Sequence, residues 1–235
     1  MQKEKCTAIV LAAGQGKRMG TKVQKQYLEI DGKPVLYYSL RAFEDSPIID
    51  DIVLVVGEGQ KEYCEKEILA KYGFGKVKKI VPGGAERYHS VWNGLKEISD
   101  EGYVFIHDGA RPFINEEILN RVYKDVKECK ACVVGMPVKD TIKLADAEGF
   151  VDQTPERSLV WMIQTPQVFE TSLVKKAYGL LMEQENIQVT DDAMVVEQML
   201  GYKVKLVRGS YENIKITTPE DLEIASIFVR KIDKK

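Results

Sequence analysis

Three glycines and two cations follow directly after the first apolar run of the chain, residues 7–13. They are Gly14, Gly16, Lys17, Arg18 and Gly20. Glycines at the carboxyl edge of an open sheet let backbone N–H groups approach phosphate oxygens. The spacing lacks the third glycine of a dinucleotide fingerprint and the GK[ST] ending of a P-loop. The loop therefore suggests an anion site of another kind, although a glycine-rich turn alone is equally typical of a plain tight turn.

Two more lysines, Lys22 and Lys25, come soon after this loop, the second within a Lys-Gln-Tyr-Leu segment at residues 25–28. Phosphoryl or nucleotidyl transfer spreads negative charge over the equatorial oxygens of the transition state, and fixed cations stabilise that charge. The cluster indicates transfer chemistry that needs no protein nucleophile. Any one of these lysines, taken singly, is also what a solvated loop carries.

A second candidate site follows the apolar run at residues 103–106. It contains His107, Asp108, Gly109 and Arg111. Parallel strands end at one edge of a sheet, so this segment should lie near the glycine loop. Asp108 could hold a sugar hydroxyl or a nucleotide-borne metal, and Arg111 could grip a phosphate, but an aspartate before glycine is also a common turn former. His107 is expected to be structural, since nothing pairs it with a nucleophile.

Other segments are individually weaker signals. Residues 83–90, with Gly84, Arg87 and Ser90, join a strand to a helix and suit either a base-reading loop of backbone groups and a serine or a plain turn. Hydroxyls and one lysine also fall at the edges of elements in three later segments. These are residues 164–167 with Thr165, residues 190–193 with Thr190, and residues 213–217 with Lys215.

The bulk composition indicates one globular domain, residues 1–235. Hydrophobic residues make up 44% and charged residues 30%, with a net charge of −2. That balance provides no overall field for nucleic acid or an anionic membrane, so the expected partner is a small anionic ligand. No apolar signal region or membrane span is evident, which predicts a cytoplasmic protein.

The four cysteines should stay reduced in that compartment. Cys129 and Cys132 form a CxxC without a second pair, so no dedicated metal ligands are expected.

The elements that must position these residues follow a βαβ rhythm. Continuous apolar runs suit strands covered on both faces, and they alternate with segments of helical spacing. The expected fold is α/β, with a single Rossmann-like, mostly parallel sheet and helices on both faces. Predicted strands are residues 7–13, 51–56, 77–81, 103–107, 131–138 and about 204–207; predicted helices are 34–43, 61–71, 86–98, 115–130, 173–185, 192–200 and one opened by Pro219.

The polar stretch at residues 139–158 interrupts this rhythm. Two short β-like pieces, 141–144 and 149–153, flank Gly149 and predict a protruding β-hairpin arm, residues 138–160, outside the main sheet. The arm could pack on a second copy of the chain. The alternative is a long solvated loop, which is uncommon in compact domains.

Taken in order, these motifs resemble those of the 2-C-methyl-D-erythritol 4-phosphate cytidylyltransferases of the non-mevalonate isoprenoid pathway, nearly end to end. The resemblance implies an enzyme that joins CTP, carrying Mg²⁺, to a small phosphorylated polyol, and it implies a homodimer. Arg18 and Lys25 would stabilise the pentavalent transition state. The implied CTP-binding residues are Ala12, Ala13, Gly14, Gln15, Gly16, Gly84, Arg87, Ser90, Asp108, Gly109 and Lys215. The implied polyol-binding residues are Asp108, Arg111, Thr141, Arg157, Thr165, Thr190 and Lys215, with Thr141 and Arg157 reaching over from a partner's arm.

Three other hypotheses compete with this interpretation. D-ribitol 5-phosphate cytidylyltransferases share most of the motifs, but residues 139–143 and 156–158 of the arm look more like the methylerythritol enzymes. A catalytically silent nucleotide-binding module would keep the sheet and lose the chemistry, which the intact Arg18, Lys25 and Asp108 disfavour. An NAD-dependent oxidoreductase is disfavoured by the missing third glycine.

Overall fold

The computed structural model describes residues 3–14, 23–185 and 188–232. Its strands are β1 (Cys6–Ala12), β2 (Glu29–Ile30), β3 (Lys33–Pro34), β4 (Asp51–Val56), β5 (Val77–Pro82), β6 (Tyr103–Asp108), β7 (Ala131–Pro137), β8 (Leu144–Ala145), β9 (Val151–Gln153), β10 (Trp161–Glu170) and β11 (Lys205–Arg208). Seven of them form one sheet in the order β11-β7-β10-β6-β1-β4-β5. Only β10 in this sheet runs antiparallel to its neighbours. The expected α/β class and mostly parallel sheet are confirmed.

The helices are α1 (Val35–Asp45), α2 (Lys61–Tyr63), α3 (Arg87–Leu95), α4 (Glu116–Cys129), α5 (Thr171–Met182), α6 (Asp192–Leu200) and α7 (Pro219–Ile232). Most of the predicted helices are present within a few residues of their expected ends. At α4 the side chain of Asn115 accepts a hydrogen bond from the Ile118 N–H at 3.0 Å, as an N-cap does. The predicted regular helix at residues 61–71 is wrong in detail, because α2 continues as a π-helix over Cys64–Ala70.

Helices cover both faces of the sheet because alternate side chains of each buried strand point to opposite sides. In β1, Ala8 and Val10 belong to a core with α1 and α4, whereas Ile9 belongs to a second core with α3, α5 and α6. Both cores are apolar, and the strands between them read as continuous apolar runs. The C-terminal helix α7 adds a smaller cluster against Ile30 and Phe113.

The order of strands places a crevice between β1 and β6. The chain passes from β1 to β4 and β5 on one side, and then returns to β6 on the other side of β1. Leu11 near the end of β1 pairs with Asp108 at the end of β6. Ligands in open α/β sheets bind at such a reversal, outside the carboxyl ends of the strands. The start of the glycine loop at Gly14 therefore lies on the same side of the sheet as Asp108, as the sequence predicts.

Strand β10 is the longest strand that the sequence does not predict; the others are the two-residue strands β2 and β3. The sequence places residues 164–167 at the edge of an element, but they lie inside this ten-residue strand between β6 and β7. Polar side chains and Pro166 argue against a central strand, since proline removes a ladder hydrogen bond. The strand tolerates Pro166 through an irregularity: its register against β7 shifts between Ile163 and Gln167. The Thr165–Pro166 peptide bond is cis.

The predicted arm is a hairpin separate from the main sheet. Strands β8 and β9 pair antiparallel, with Leu144 opposite Gln153. The first strand is shorter and later than the expected 141–144, since pairing begins only at Leu144. Among the described residues, no helix combines the length and apolarity needed to cross a bilayer.

Candidate active site

A cleft of about 520 Å³ opens at the carboxyl ends of β1 and β6. Eight of the residues singled out from the sequence line it: Ala13, Gly14, Lys25, Gly84, Arg87, Ser90, Asp108 and Lys215. Its other lining residues are Leu11, Gln26, Ala85, Glu86 and Ala110. Residues as far apart in the sequence as Leu11 and Lys215 thus converge on one concave site. Its cations suit an anionic ligand.

Asp108 lies at the centre of the charges in this cleft. Its Oδ2 accepts from Nζ of Lys215 at 2.6 Å, and its Oδ1 accepts from Nε of Arg87 at 3.3 Å. Burial raises the pKa of this carboxyl, but the charges of Arg87 and Lys215 lower it more, so the net pKa is well below the ordinary value. Asp108 is therefore ionised throughout the physiological pH range, and it draws both cations to the cleft.

Arg87 is shared between two carboxylates. Its two terminal nitrogens each donate to one oxygen of Asp192 at 2.8 Å, while its Nε faces Asp108. Burial lowers the pKa of Arg87, but the charges of Asp192 and Asp108 raise it by more than burial lowers it. The net pKa is well above the ordinary value. The predicted CTP-binding residue is thus engaged by the protein on both edges of its guanidinium group.

The loop before α3 is shaped by close backbone approaches. A Cβ on Gly83 would meet the Cβ of Ala13 at 2.3 Å, and one on Gly84 would meet the Cβ of His89 at the same distance. The Gly84 N–H donates to the hydroxyl of Ser90 at 3.0 Å. Glycine therefore lets this loop pack against Ala13 at the end of β1 and turn directly into α3.

Lys25 lines the cleft together with Gly14 and begins a short 3₁₀-helix over Lys25–Tyr27. The next side chain, Gln26, is nearly completely buried and donates from Nε2 to the carbonyl oxygens of Ala12 at 2.6 Å and Gly14 at 3.2 Å. It ties the lysine segment to the start of the glycine loop. Gln15, Gly16, Lys17, Arg18, Gly20 and Lys22 lie outside the described residues.

A buried hydrogen-bond chain supports the Asp108 segment from below. The Asp108 N–H donates to Oγ1 of Thr165 at 3.1 Å, and that hydroxyl lies 3.0 Å from Nδ1 of His107. Nε2 of His107 lies 3.0 Å from the carbonyl of Arg111. Since Nε2 must donate to that carbonyl, Nδ1 of the neutral ring accepts from Thr165. Burial lowers the pKa of His107 to about 4, which keeps the ring neutral and supports its expected structural role.

Strand β10 also holds the segment that carries Lys215. Oε1 of Gln164 and the carbonyl of Thr165 both accept from Nδ2 of Asn213, at 3.3 and 2.9 Å. The Asn213 carbonyl in turn accepts from Nη1 of Arg111 at 2.9 Å. Nε of Arg111 is buried and has no hydrogen-bond partner among the described residues. Arg111 follows the cleft-lining Ala110 and keeps one guanidinium N–H that no described residue accepts.

The remaining predicted residues lie away from the cleft lining. Thr141 and Arg157 are on the exposed arm, where Arg157 donates to the carbonyl of Lys139 at 3.3 Å. Thr190 is exposed ahead of α6. The N–H of Gly109 donates to the carbonyl of Leu11 at 2.8 Å. Their ligand roles stay predictions.

Sequence reasoning missed four buried polar groups that organise the site. Gln26, Gln167 and Asn213 lie inside motifs that the sequence singles out, but the motifs do not indicate what their side-chain amides bind. Tyr178 and Asn213 are each fully buried and hydrogen-bonded next to site residues. A buried amide or phenol flanking a motif is the signal that could have pointed to them.

The acidic, histidine and cysteine side chains give no metal cluster within the described residues. The four cysteines, Cys6, Cys64, Cys129 and Cys132, are free thiols. Carboxylates that face the cleft come from Glu86 and Asp108. Of these two, Asp108 already pairs with Arg87 and Lys215.

Comparison with known proteins gives one consistent family. The family model for 2-C-methyl-D-erythritol 4-phosphate cytidylyltransferase matches residues 6–231. The protein of that name from Lachnospira eligens is 54% identical over 95% of this chain and 99% of its own length. Its counterpart from Lachnoclostridium phytofermentans is 53% identical over 97% of each chain. The crystal structure of 4-diphosphocytidyl-2C-methyl-D-erythritol synthase from Anaerococcus prevotii is 36% identical, covers 97% of each chain and has a TM-score of 0.86.

The neutral state of His107 predicts a specific acid sensitivity. The folded ring takes up a proton only near pH 4, whereas the unfolded chain does so below its ordinary pKa of 6.5. Between these values the unfolded state binds more protons, so the free energy of unfolding decreases as the pH falls. From pH 7 to pH 4.5 this one group should remove roughly 2 kcal/mol.

Urea unfolding of the wild-type chain and of His107→Gln at both pH values checks this. Glutamine does not titrate, so the stability advantage of the wild type over the variant should shrink by that amount at pH 4.5. An advantage that is the same at both pH values would contradict a neutral His107.

Proposed function

Since the chain belongs to the 2-C-methyl-D-erythritol 4-phosphate cytidylyltransferase family, we propose that it forms 4-diphosphocytidyl-2-C-methyl-D-erythritol and pyrophosphate from CTP and 2-C-methyl-D-erythritol 4-phosphate. The product would serve non-mevalonate isoprenoid precursor biosynthesis. The observation that carries the proposal is the convergence of Lys25, Arg87, Asp108 and Lys215 on one cleft beside the glycine loop. A cleft of about 520 Å³ is in the range that holds a small ligand.

The nucleotide would occupy the part of the cleft between the glycine loop and the loop before α3. Backbone N–H groups of the glycine loop, from Ala12 through Gly16 with Gln15, would bind the triphosphate. Gly84, Ser90 and Gly109 would read cytosine and ribose. The hydrogen bond from Gly84 to Ser90 supports this, because it presets the shape of the base-reading loop.

The reaction is a direct substitution at the α-phosphorus of CTP. A phosphate oxygen of methylerythritol phosphate attacks that phosphorus, a new P–O bond forms, and the bond to the bridging oxygen breaks to release pyrophosphate. The attacking oxygen is already anionic, so no general base is needed. Arg18 and Lys25 would stabilise the negative charge of the pentavalent transition state, and the position of Lys25 at the cleft supports its share.

The polyol phosphate would lie on the Asp108 side of the cleft. Asp108 and Lys215 would meet its hydroxyls and phosphate, and the unpartnered Nε of Arg111 supports an anion next to that side chain. Thr165 would act by holding Asp108 in place, since its hydroxyl is already engaged by the Asp108 N–H and His107. Thr190 would approach the substrate from the loop ahead of α6.

Magnesium would enter as part of the nucleotide. When bound, it neutralises part of the negative charge that develops on the phosphates during transfer. The pairing of Asp108 with Arg87 and Lys215 fits an ion held mainly by the phosphates. We place the enzyme in the cytoplasm, where its four free cysteines would stay reduced.

The hairpin arm, residues 138–160, would make a homodimer and complete the partner's site. Apolar side chains are exposed on and next to it: Phe150 is 69% exposed, Val151 60% and Leu159 75%. Several exposed large apolar side chains within one short segment suit an interaction surface. Thr141 and Arg157, which lie away from the cleft of their own chain, would then reach the polyol phosphate bound to the other subunit.

Pyrophosphate release tests the substrate assignment. With CTP and Mg²⁺, we expect release with 2-C-methyl-D-erythritol 4-phosphate and none with D-ribitol 5-phosphate. Release with ribitol phosphate alone would move the chain to the other specificity, and CTP binding without release from either substrate would favour a catalytically silent module.

Mixing two inactive variants tests the shared site. In a dimer of Lys25→Met and Arg157→Ala chains, one cleft receives both defects and the other receives an intact body and an intact arm. Random exchange makes half of the dimers mixed, so activity should return to about one quarter of the wild-type value.

Each variant alone, incubated under the same exchange conditions, is the control for this experiment. If Arg157 served the cleft of its own chain, every cleft in the mixed dimer would carry one defect. The mixture would then stay as inactive as its components.

A further inference from the structure

The carboxylate of Asp192 is fully buried, and Asp192 is not one of the residues that line the cleft. It is the first residue of α6, far from Asp108 in the sequence. Both terminal nitrogens of Arg87 donate to it at 2.8 Å. Its Oδ1 also accepts from the hydroxyl of Tyr178 on α5, at 2.5 Å. Three helices thus meet at one charged group that does not face the ligand space.

Strand β10 fixes the place of this carboxylate. Oε1 of Gln167 accepts from the backbone N–H groups of Asp192 and Ala193, both at 2.9 Å. Asp191 caps the same helix, since its Oδ1 accepts from the Met194 N–H at 2.9 Å. Because β10 pairs directly with β6, α6 is tied to the strand that ends in Asp108.

The pairing orients Arg87 in a way that a single ion pair would not. A carboxylate that binds both terminal nitrogens fixes the plane of the guanidinium group. The Nε–H bond is then directed away from Asp192, towards Oδ1 of Asp108. Asp192 and Asp108 together balance the charges of Arg87 and Lys215, so Asp108 stays turned to both cations.

A buried pair of this kind is poor evidence of a purely stabilising role. Removing two charges from water costs about as much as their attraction returns, and apolar replacements are often as stable. A buried phenol aimed at one of the two charges adds a further constraint on direction. Such an arrangement suits a group whose orientation matters.

We propose that Asp192, locked by Tyr178, is a positioning residue of the active site: it holds the Arg87 guanidinium so that Nε donates to Asp108 and aims that carboxylate into the cleft. This inference rests on the proposed function for the identity of the site. It adds a role for two side chains that touch no substrate.

A double-mutant cycle tests the inference. Asp192→Asn should lower kcat/KM by roughly 10- to 100-fold, and Tyr178→Phe by a few-fold, because each loosens Arg87. In an Arg87→Met background, adding either substitution should change kcat/KM by less than about twofold, since there is no guanidinium left to position. Tyr202→Phe, whose hydroxyl donates to the Cys129 carbonyl at 3.1 Å away from the cleft, is the matched control.

The cycle separates positioning from folding. Thermal melting is measured on every variant, and the Asp192→Asn/Arg87→Met chain removes both charges of the pair together. If Asp192→Asn alone does not fold, the Tyr178→Phe cycle, which leaves both charges in place, decides. Equal losses of kcat/KM with and without Arg87, or wild-type kcat/KM in both single variants, would overturn the inference.

The inference and the proposed function can fail separately. The cycle compares variants on whichever polyol phosphate the wild-type chain uses. The proposed substrate is judged by the wild-type turnover, and the positioning role by the ratios among the variants.

Discussion

The site depends on one carboxylate that is almost completely buried and must stay charged. Asp108 is 8% exposed, so its negative charge requires partners. These partners lie on different elements: Arg87 is at the start of α3, and Lys215 is in the segment after β11. Neither lies near Asp108 in sequence, and each must be delivered to within hydrogen-bond reach. The convergence of strand ends and loops at the crevice between β1 and β6 follows from this requirement.

The antiparallel strand β10 satisfies the requirement on both sides of Asp108. Its Thr165 holds the Asp108 backbone and the neutral His107, while Gln164 and Thr165 hold Asn213, two residues before Lys215. Its Gln167 holds the start of α6, from which the partner of Arg87 projects. Polar residues in a central strand are costly unless every group is hydrogen-bonded. Here the polar side chains of β10 form those hydrogen bonds with the loops that surround the cleft.

The sequence predicts the fold well because its signals are local. Continuous apolar runs identify the parallel strands, Asn115 identifies a helix start, and the interruption of the rhythm identifies the hairpin at residues 144–153. Local patterns could not reveal β10, because Pro166 and the polar side chains next to it are untypical of a central strand. Nor could they reveal the Arg87–Asp192 pair, whose members are 105 positions apart, or the burial of Gln26. The motifs indicated which residues mattered, and only tertiary contacts show what each one holds.

Substitution of Asp108 by Asn tests the central claim most directly. The amide keeps the size of the side chain but removes the charge on which Arg87 and Lys215 converge, so kcat/KM for pyrophosphate release should fall by about 10²-fold. Asp125→Asn, which breaks the exposed pair with Lys205 at 2.7 Å, should leave kcat/KM at the wild-type value. A folded Asp108→Asn chain with wild-type kcat/KM would contradict a site organised around this carboxylate.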